Sequence, residues 1–143
     1  MPGSAKKKPE ERVILTMTRE QAYAVMNATE LLARLYIGQV FTVPQLLGDF
    51  KDADYAERSS RANDAFTLGV KILVGENAYG YPDIEEKSIE HERCWAVYAT
   101  IRHAIAWHDN PEGNSWSVAF DRPMAYSHNE AMPKCEIRTV KED

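Results

Sequence analysis

The sequence predicts an α+β domain in which three main helices predominate over a small antiparallel sheet. Three long segments repeat apolar residues at helical spacing: residues 19–40, 55–74 and 84–107. Three shorter segments are β-branched or alternate apolar with polar residues: 12–17, 116–120 and 134–140. We therefore expect the N-terminal and C-terminal segments to pair as strands beside the helices, without a repeated βαβ unit.

Size and charge favour one domain that does not bind duplex nucleic acid. The chain has 143 residues, 44% of them hydrophobic, and a formal net charge of −5. This length suits one core, and a surface that binds duplex DNA would need a concentrated basic face. Residues 1–11, which include Lys6, Lys7 and Lys8 followed by acids, are predicted to be a flexible basic and acidic tail. Residues 12–143 are predicted to be a single α+β domain.

Helix ends can be placed from capping signals. Thr18 and Gln21 have the spacing of a capping box, which predicts a helix that begins at Arg19. Gly75 is placed to end the second long helix, and Asp83 with Glu86 to begin the third. In the second helix a buried stripe is expected, formed by Ala62, Ala65, Phe66, Gly69, Val70 and Leu73. In the third helix the expected stripe is Cys94, Val97, Ile101, Ala104 and Ile105.

Recognisable catalytic signatures are missing from the sequence. There is no Walker loop, dinucleotide-binding fingerprint, nucleophile elbow, zinc-protease motif or C-x-x-C pair. The four histidines lack metal-ligand spacing, and Cys94 and Cys135 are expected to be buried reduced thiols rather than a disulfide. We therefore expect a protein that is not an enzyme and that needs no cofactor or metal. The sequence also lacks a bilayer-length apolar run and a secretory signal, so a soluble, cytoplasmic protein is expected.

Arg102 interrupts the apolar pattern of the third helix. Trp95, Tyr98 and Arg102 are spaced by three and four residues, so the guanidinium is expected beside two aromatic rings. In one interpretation, the stem of Arg102 covers the apolar stripe and its charge pairs with a surface acid. In the other, Arg102 belongs to an anion site in which the guanidinium binds phosphate and a ring stacks on a base.

Arg34 interrupts the first helix in the same way. Glu30, one turn earlier, is a simple intrahelical partner for it. Gly38 falls on the same line, and a glycine inside a helix usually marks the close approach of another helix or a ligand. Arg58 and Arg61 on the second helix are either solvent-exposed charges, which we favour, or a second anion patch at a subunit contact.

Arginines beside aromatic residues on apolar helices suit a compact phosphorylated nucleotide. Guanidinium groups would bind the phosphates, rings would stack on bases, and the amides of Gln39 or Asn77 would bind sugar or base edges. The loop 76–82, with Tyr79 and Tyr81, has a composition suited to lining such a site or to simply connecting two helices. A small chain most readily closes a pocket of this kind at a symmetric subunit interface.

Three segments resemble a widespread phage family. They are LTMTREQAYAVMNATELLARLYIGQ, then ERCWAVYATIRHAIAW with NPEG, and finally MPKCEI. The shared motifs are R-x-x-I-G-Q, Y-x-x-I-R-H-x-x-A-W and P-K-x-E-I, and the resemblance covers most of residues 13–140. The chain resembles the family of Thoeris anti-defence protein one. Members of this phage family act as sponges: they sequester cyclic ADP-ribose signals and, in some members, CBASS cyclic oligonucleotides.

The resemblance implies a homo-oligomer with ligand pockets between subunits, arginines on phosphates and an aromatic ring on adenine. Arg34 and Arg102 match the motif arginines, whereas Arg61, Asn77, Tyr79 and Tyr81 are placed only by analogy of region. Together with Gln39 and Tyr98, these are the expected ligand-binding residues. The expected function is sequestration of a cyclic nucleotide immune signal without cleavage. The alternatives are a protein-binding inhibitor of a host defence complex, similar to an anti-CRISPR, and a small hydrolase of such signals.

Overall fold

The computed structural model describes residues 9–48, 51–84, 89–123 and 130–141, and within these ranges the chain is helical. Four α-helices follow one another: α1 (Arg19–Tyr36), α2 (Thr42–Leu47), α3 (Tyr55–Val74) and α4 (Ile89–Asp109). A short 3-10 helix, Val118–Phe120, comes after α4. Three long helices were expected and are present, whereas α2 was not anticipated.

The predicted sheet is wrong for the part of the chain that the structure describes. Residues 12–17 and 134–140 form no strand, and the single β-bridge there joins Glu76 to Pro82 in the loop after α3. Val13 and Ile14 are neighbours in the chain and expose 96% and 92% of their surface, so neither side of this segment faces a core. Alternating apolar residues make a stable strand only when a partner strand and a packed face are present. Neither is available to these two segments among residues 9–48, 51–84, 89–123 and 130–141.

The segment 116–120, expected as a strand, contains a turn and the 3-10 helix instead. The hydroxyl of Ser117 accepts a hydrogen bond from the N–H of Ala119 at 3.3 Å, which caps this short helix. The ring of Phe120 meets the indole of Trp107 edge to face, with 5.2 Å between ring centroids. Local capping and one aromatic contact with α4 therefore override the alternating pattern.

The core lies between α1 and α4, which run antiparallel. Arg19 at the start of α1 forms an ion pair with Asp109 at the end of α4, with 2.7 Å between Nη1 and Oδ1. The core residues have less than a tenth of their surface exposed: Ala33, Val40, Thr42, Ala96, Tyr98, Ala99, Thr100, Ile101 and Ile105. Ala33 is fully buried, so its small side chain is what lets the two helices approach at this point.

The capping box at the start of α1 is confirmed. The hydroxyl of Thr18 accepts from the N–H of Gln21, and the side chain of Gln21 accepts from the N–H of Thr18. The helix ends at Tyr36 rather than near Val40, because Gly38 has a φ of +80°. A Cβ at Gly38 would lie 3.1 Å from Cδ1 of Ile84. Gly38 is therefore a turn residue approached by a side chain of the same chain, not a glycine inside a helix.

Helix α3 has the predicted bounds and ends at Gly75, whose φ is +81° and whose N–H donates to the carbonyl of Lys71. Its predicted buried stripe is wrong, because α3 contains no buried residue. Among the described elements it packs only against α2. Phe66, Leu68, Ile72, Leu73 and Val74 of α3 are all exposed.

Helix α4 is covered more broadly than a single stripe. Ile101 and Ile105 are buried as predicted, whereas Cys94, Val97 and Ala104 are only half-buried. Burial extends instead over consecutive residues of α4, because both α1 and the 3-10 helix pack on it. Glu86, expected in the first turn, lies outside the described residues. None of the helices described is long and apolar enough to cross a bilayer.

Candidate functional site

Four side chains form a continuous line of contacts across α1 and α4, which we call the arginine–aromatic row. The guanidinium carbon of Arg34 lies 5.9 Å from the ring centroid of Trp95. The rings of Trp95 and Tyr98 are 5.1 Å apart, and the guanidinium carbon of Arg102 lies 4.9 Å from the ring centroid of Tyr98. Both arginines are therefore within the distance range of cation–π contacts, at the two ends of an aromatic pair.

The helical spacing of α4 explains how three members of the row meet. Positions three and four apart lie on one face of a helix, so Trp95, Tyr98 and Arg102 are neighbours. The antiparallel packing of α1 then brings Arg34, near the end of α1, next to Trp95, near the start of α4. A row that crosses two helices therefore depends on the fold as well as on local spacing.

Arg34 is held by polar partners on its own side of the row. Its Nε and Nη2 donate to Oε1 of Glu30 at 3.1 and 3.0 Å, and its Nη1 donates to Oε1 of Gln39 at 2.8 Å. The expected pairing with Glu30 is therefore present. Because a guanidinium has five N–H donors, Arg34 keeps two for another acceptor. Gln39 therefore orients the guanidinium of Arg34 and lies beside this arginine, which was predicted to bind ligand.

Arg102 has fewer partners. Its Nη1 donates to the hydroxyl of Tyr98 at 3.2 Å, and its buried Nε has no hydrogen-bond partner in the part of the chain that the structure describes. Within the described residues Arg102 forms no ion pair, so no surface acid there is the partner that the first interpretation expected. Among these residues the other four N–H groups of the guanidinium have no acceptor, and the one on Nε is buried. Burying an unpaired donor is costly, and such groups need a specific explanation.

A depression of about 200 Å³ opens beside the Arg34 end of the row. It is lined by Ala33, Arg34, Ile37, Gln39, His91 and Trp95. Tyr98 and Arg102 do not line it and are linked to it through the ring of Trp95. The volume is below the roughly 300–1,000 Å³ of drug-sized ligand sites, so it fits one base or one phosphate group rather than a whole dinucleotide.

The other residues predicted to bind ligand are placed differently. Oδ1 of Asn77 accepts from the N–H groups of Tyr79 and Tyr81 at 3.0 and 3.1 Å. The carbonyl side of this amide therefore organises the loop, and the two tyrosine rings point outward and are exposed. Arg61 is exposed on α3, which among the described elements contacts neither α1 nor α4. The structure thus groups Arg34, Gln39, Tyr98 and Arg102 and leaves the remaining four elsewhere.

The two cysteines are free thiols, as expected, but only Cys94 is half-buried and Cys135 is exposed. Burial raises the pKa of the Cys94 thiol, and the nearby charge of Glu90 raises it further. A raised pKa lowers the thiolate fraction at neutral pH, which disfavours a nucleophilic role. Within the described ranges, no group of three or more histidines, cysteines and acids is arranged to hold a metal ion.

Sequence reasoning did not place His91 at the site, and it placed Trp95 beside Arg102 but not beside Arg34. The contact of Trp95 with Arg34 depends on the packing of α1 on α4. His91 lies one turn before Trp95, and their rings are 6.4 Å apart. The four-residue spacing was the available signal, because it places both rings on one face of α4.

Comparison of this chain with models of protein families, with curated proteins and with solved structures finds no match. The geometry of the row and of its depression is therefore the basis for the functional argument. It supplies two cations, two aromatic rings in contact and an oriented amide, which are groups that recognise phosphate and nucleobases.

Proposed function

We propose that this protein is a phage counter-defence protein that binds and sequesters a cyclic nucleotide immune signal without cleaving it. The signal is a cyclic ADP-ribose isomer, or a cyclic oligonucleotide of the CBASS type. The protein would act as a homo-oligomer in the cytoplasm of an infected bacterium. The single observation that carries this proposal is the row itself, and within it the guanidinium of Arg102, whose buried Nε has no acceptor among the described residues.

Each part of the row suits one part of such a ligand. Free N–H donors on Arg102 and Arg34 match the negative oxygens of a diphosphate, and charge-assisted bonds of this kind are the stronger class of hydrogen bond. The ring of Trp95, which lines the depression, is suited to stacking on a base. The amide of Gln39, which already accepts from Arg34, offers its N–H₂ group to a sugar or base edge.

Binding without cleavage fits the chemistry of these side chains. Arginine, tryptophan and tyrosine are not general bases at neutral pH, and Glu30 is engaged by Arg34. His91, which lines the depression, is the one residue there that suits a base. Hydrolysis of the signal is therefore the second function to be tested, with His91 as the candidate general base.

The size of the depression supports a site completed by another copy of the chain. About 200 Å³ encloses only part of a cyclic dinucleotide, and high affinity requires most of a ligand surface to be buried. Symmetric oligomers readily supply the missing wall. A ligand that lies between subunits would also explain why Arg102, outside the depression, has donors to spare.

The test is native mass spectrometry of the full chain incubated with a panel of cyclic ADP-ribose isomers and cyclic oligonucleotides. Bound ligand is then released by heat and analysed for its mass and isomer. The proposal expects intact ligand at a fixed number per oligomer. An altered ligand, suppressed by His91→Gln, would favour the hydrolase. If no panel member binds, the proposal is wrong and a protein-binding inhibitor becomes the leading alternative.

A further inference from the structure

Helix α3 carries an apolar face that none of the described residues covers. The face consists of residues that share one side of the helix: Ala62, Ala65, Phe66, Gly69, Ile72 and Leu73. Phe66, Ile72 and Leu73 expose 43%, 76% and 84% of their surface. In proteins, most of the stability of an amphipathic helix comes from packing of its apolar side. We infer that a second copy of this chain packs antiparallel on the α3 face.

The neighbouring helix explains the antiparallel direction. Helix α2 contacts the beginning of α3, where the hydroxyl of Tyr55 donates to the carbonyl of Pro44 at 3.5 Å. The second half of α3 is left without cover, and α2 itself exposes Leu46 and Leu47. When two copies run antiparallel, α2 of each copy lies beside the uncovered half of the other α3. One contact then shields both sets of apolar side chains.

The area available is a large part of what a dimer needs. A fully exposed large apolar side chain presents roughly 100 Å². Five exposed residues of this kind lie on α2 or on the α3 face: Leu46, Leu47, Phe66, Ile72 and Leu73. At their observed exposures they present roughly 340 Å² of apolar surface per chain. A stable dimer buries about 800 Å² per partner, about 65% of it apolar in homodimers, so these five side chains supply roughly two-thirds of the apolar part.

Side-chain size and charge are self-complementary in this direction. Opposing Ala65 to Gly69 of the second copy lets the two backbones approach, and a Cβ at Gly69 would meet no atom within 4 Å. The same register places Arg58, at the N-terminal end of the face, opposite Glu76 of the second copy. Arg58 is exposed and now pairs with Asp52 at 2.9 Å, and Glu76 lies 3.7 Å from Lys71. Opposite charges thus mark opposite ends of the face.

The inference is tested on the full chain without ligand, so its failure is distinct from failure of the sequestration proposal. Sedimentation equilibrium gives the mass of wild type, Leu73→Glu and the matched control Val140→Glu, which alters an apolar residue of similar exposure (79%) outside α3. We expect two chains for wild type and for the control, and at least a 100-fold weaker dimer for Leu73→Glu. Circular dichroism shows whether each variant keeps its helices.

Charge reversal tests the direction independently. Arg58→Glu is expected to weaken the dimer about tenfold, as close charge pairs at interfaces do, and adding Glu76→Arg to it should restore the wild-type constant. Loss of the intrachain pair with Asp52 would not be rescued in this way. A wild type that is a single chain at 100 μM concentration, or a Leu73→Glu variant that keeps two chains, would overturn the inference. A failed rescue would overturn the antiparallel arrangement.

Discussion

The guanidinium of Arg34 on α1 lies over the indole of Trp95 on α4, with 5.9 Å between the guanidinium carbon and the ring centroid. This contact joins two helices that are far apart in the chain and sets one end of the arginine–aromatic row. The ring of Tyr98 contacts Trp95 in a tilted arrangement, and the guanidinium of Arg102 lies over Tyr98. Trp95 is therefore the residue through which the two arginines are connected.

Replacing Trp95 should weaken ligand binding more than it weakens folding. Stacking of a base on an aromatic ring contributes about 1–3 kcal/mol, so Trp95→Leu should raise the Kd for the bound panel member about 10- to 100-fold. Leucine keeps an apolar side chain against α1. Titration calorimetry measures the change, with Trp116→Leu as control because Trp116 is 95% exposed and outside the row. Equal Kd values for Trp95→Leu and the control would argue against stacking.

Ala33 should be intolerant of a larger side chain. It is fully buried between α1 and α4, so Ala33→Leu overpacks the contact and should lower the free energy of unfolding by about 1–3 kcal/mol. Ala28→Leu, at an exposed position of the same helix, should change it by less than about 0.5 kcal/mol. Urea unfolding followed by circular dichroism measures both. Similar losses in the two variants would show that the helices are not packed closely at Ala33.

Alanine substitutions at Gly38 and Gly80 distinguish the cost of backbone strain from the cost of a side-chain contact. Both have a φ near +80°, but a Cβ meets Ile84 only at Gly38. Gly80→Ala should cost about 1–2 kcal/mol of unfolding free energy from strain alone, and Gly38→Ala should cost at least about 0.5 kcal/mol more. Adding Ile84→Val removes the atom in contact and should abolish the excess. An excess that persists in the double variant would exclude the contact with Ile84 as its cause.

The contact of the C-terminal segment with α4 should depend on acid pH. Arg93 forms an ion pair with Glu130 and lowers the pKa of that carboxyl below its usual range. Because the pKa of Glu130 is lower in the folded protein, its ion pair with Arg93 stabilises the fold above the ordinary glutamate pKa near 4.3. This stabilisation is lost as the pH falls through the lowered pKa.

Carboxyl-carbon NMR measures this titration directly. Arg93→Gln should raise the midpoint of Glu130 to the ordinary range. It should leave the midpoint of Glu136 lowered, because Arg138 rather than Arg93 pairs with Glu136. If the Glu130 midpoint is the same with and without Arg93, the ion pair does not form in solution.

Helix bounds could be read from the sequence wherever a local signal decides them. The Thr18 capping box and the glycine after α3 act over a few residues, so both were predicted correctly. Gly38 was misread because the path of the chain up to Ile84 is not visible in a helical pattern. The strands were misread because an alternating pattern indicates what a segment is able to do but not whether a partner strand is present.

The arginines of the row were found because charges within an apolar pattern are conspicuous. Their connection through Trp95 was not found from the sequence, because it depends on the antiparallel packing of α1 on α4. The stripe of α3 was read correctly as apolar and wrongly as buried. Amphipathic periodicity predicts that a face will be covered, and it carries no information on whether the same chain covers it.

The measurement that tests the central claim most directly compares Arg102→Met with Arg138→Met in ligand binding. Methionine keeps an apolar stem over Tyr98 and removes the guanidinium, whereas Arg138 is exposed and already paired with Glu136. Both variants are titrated by calorimetry with the panel member that wild type binds, after circular dichroism confirms equal helix content.

Losing charge-assisted bonds worth about 1.5–3 kcal/mol should raise the Kd of Arg102→Met at least tenfold and leave that of Arg138→Met unchanged. A wild-type Kd in Arg102→Met would contradict a role for this guanidinium in binding the ligand. It would also remove the observation on which sequestration by the row rests.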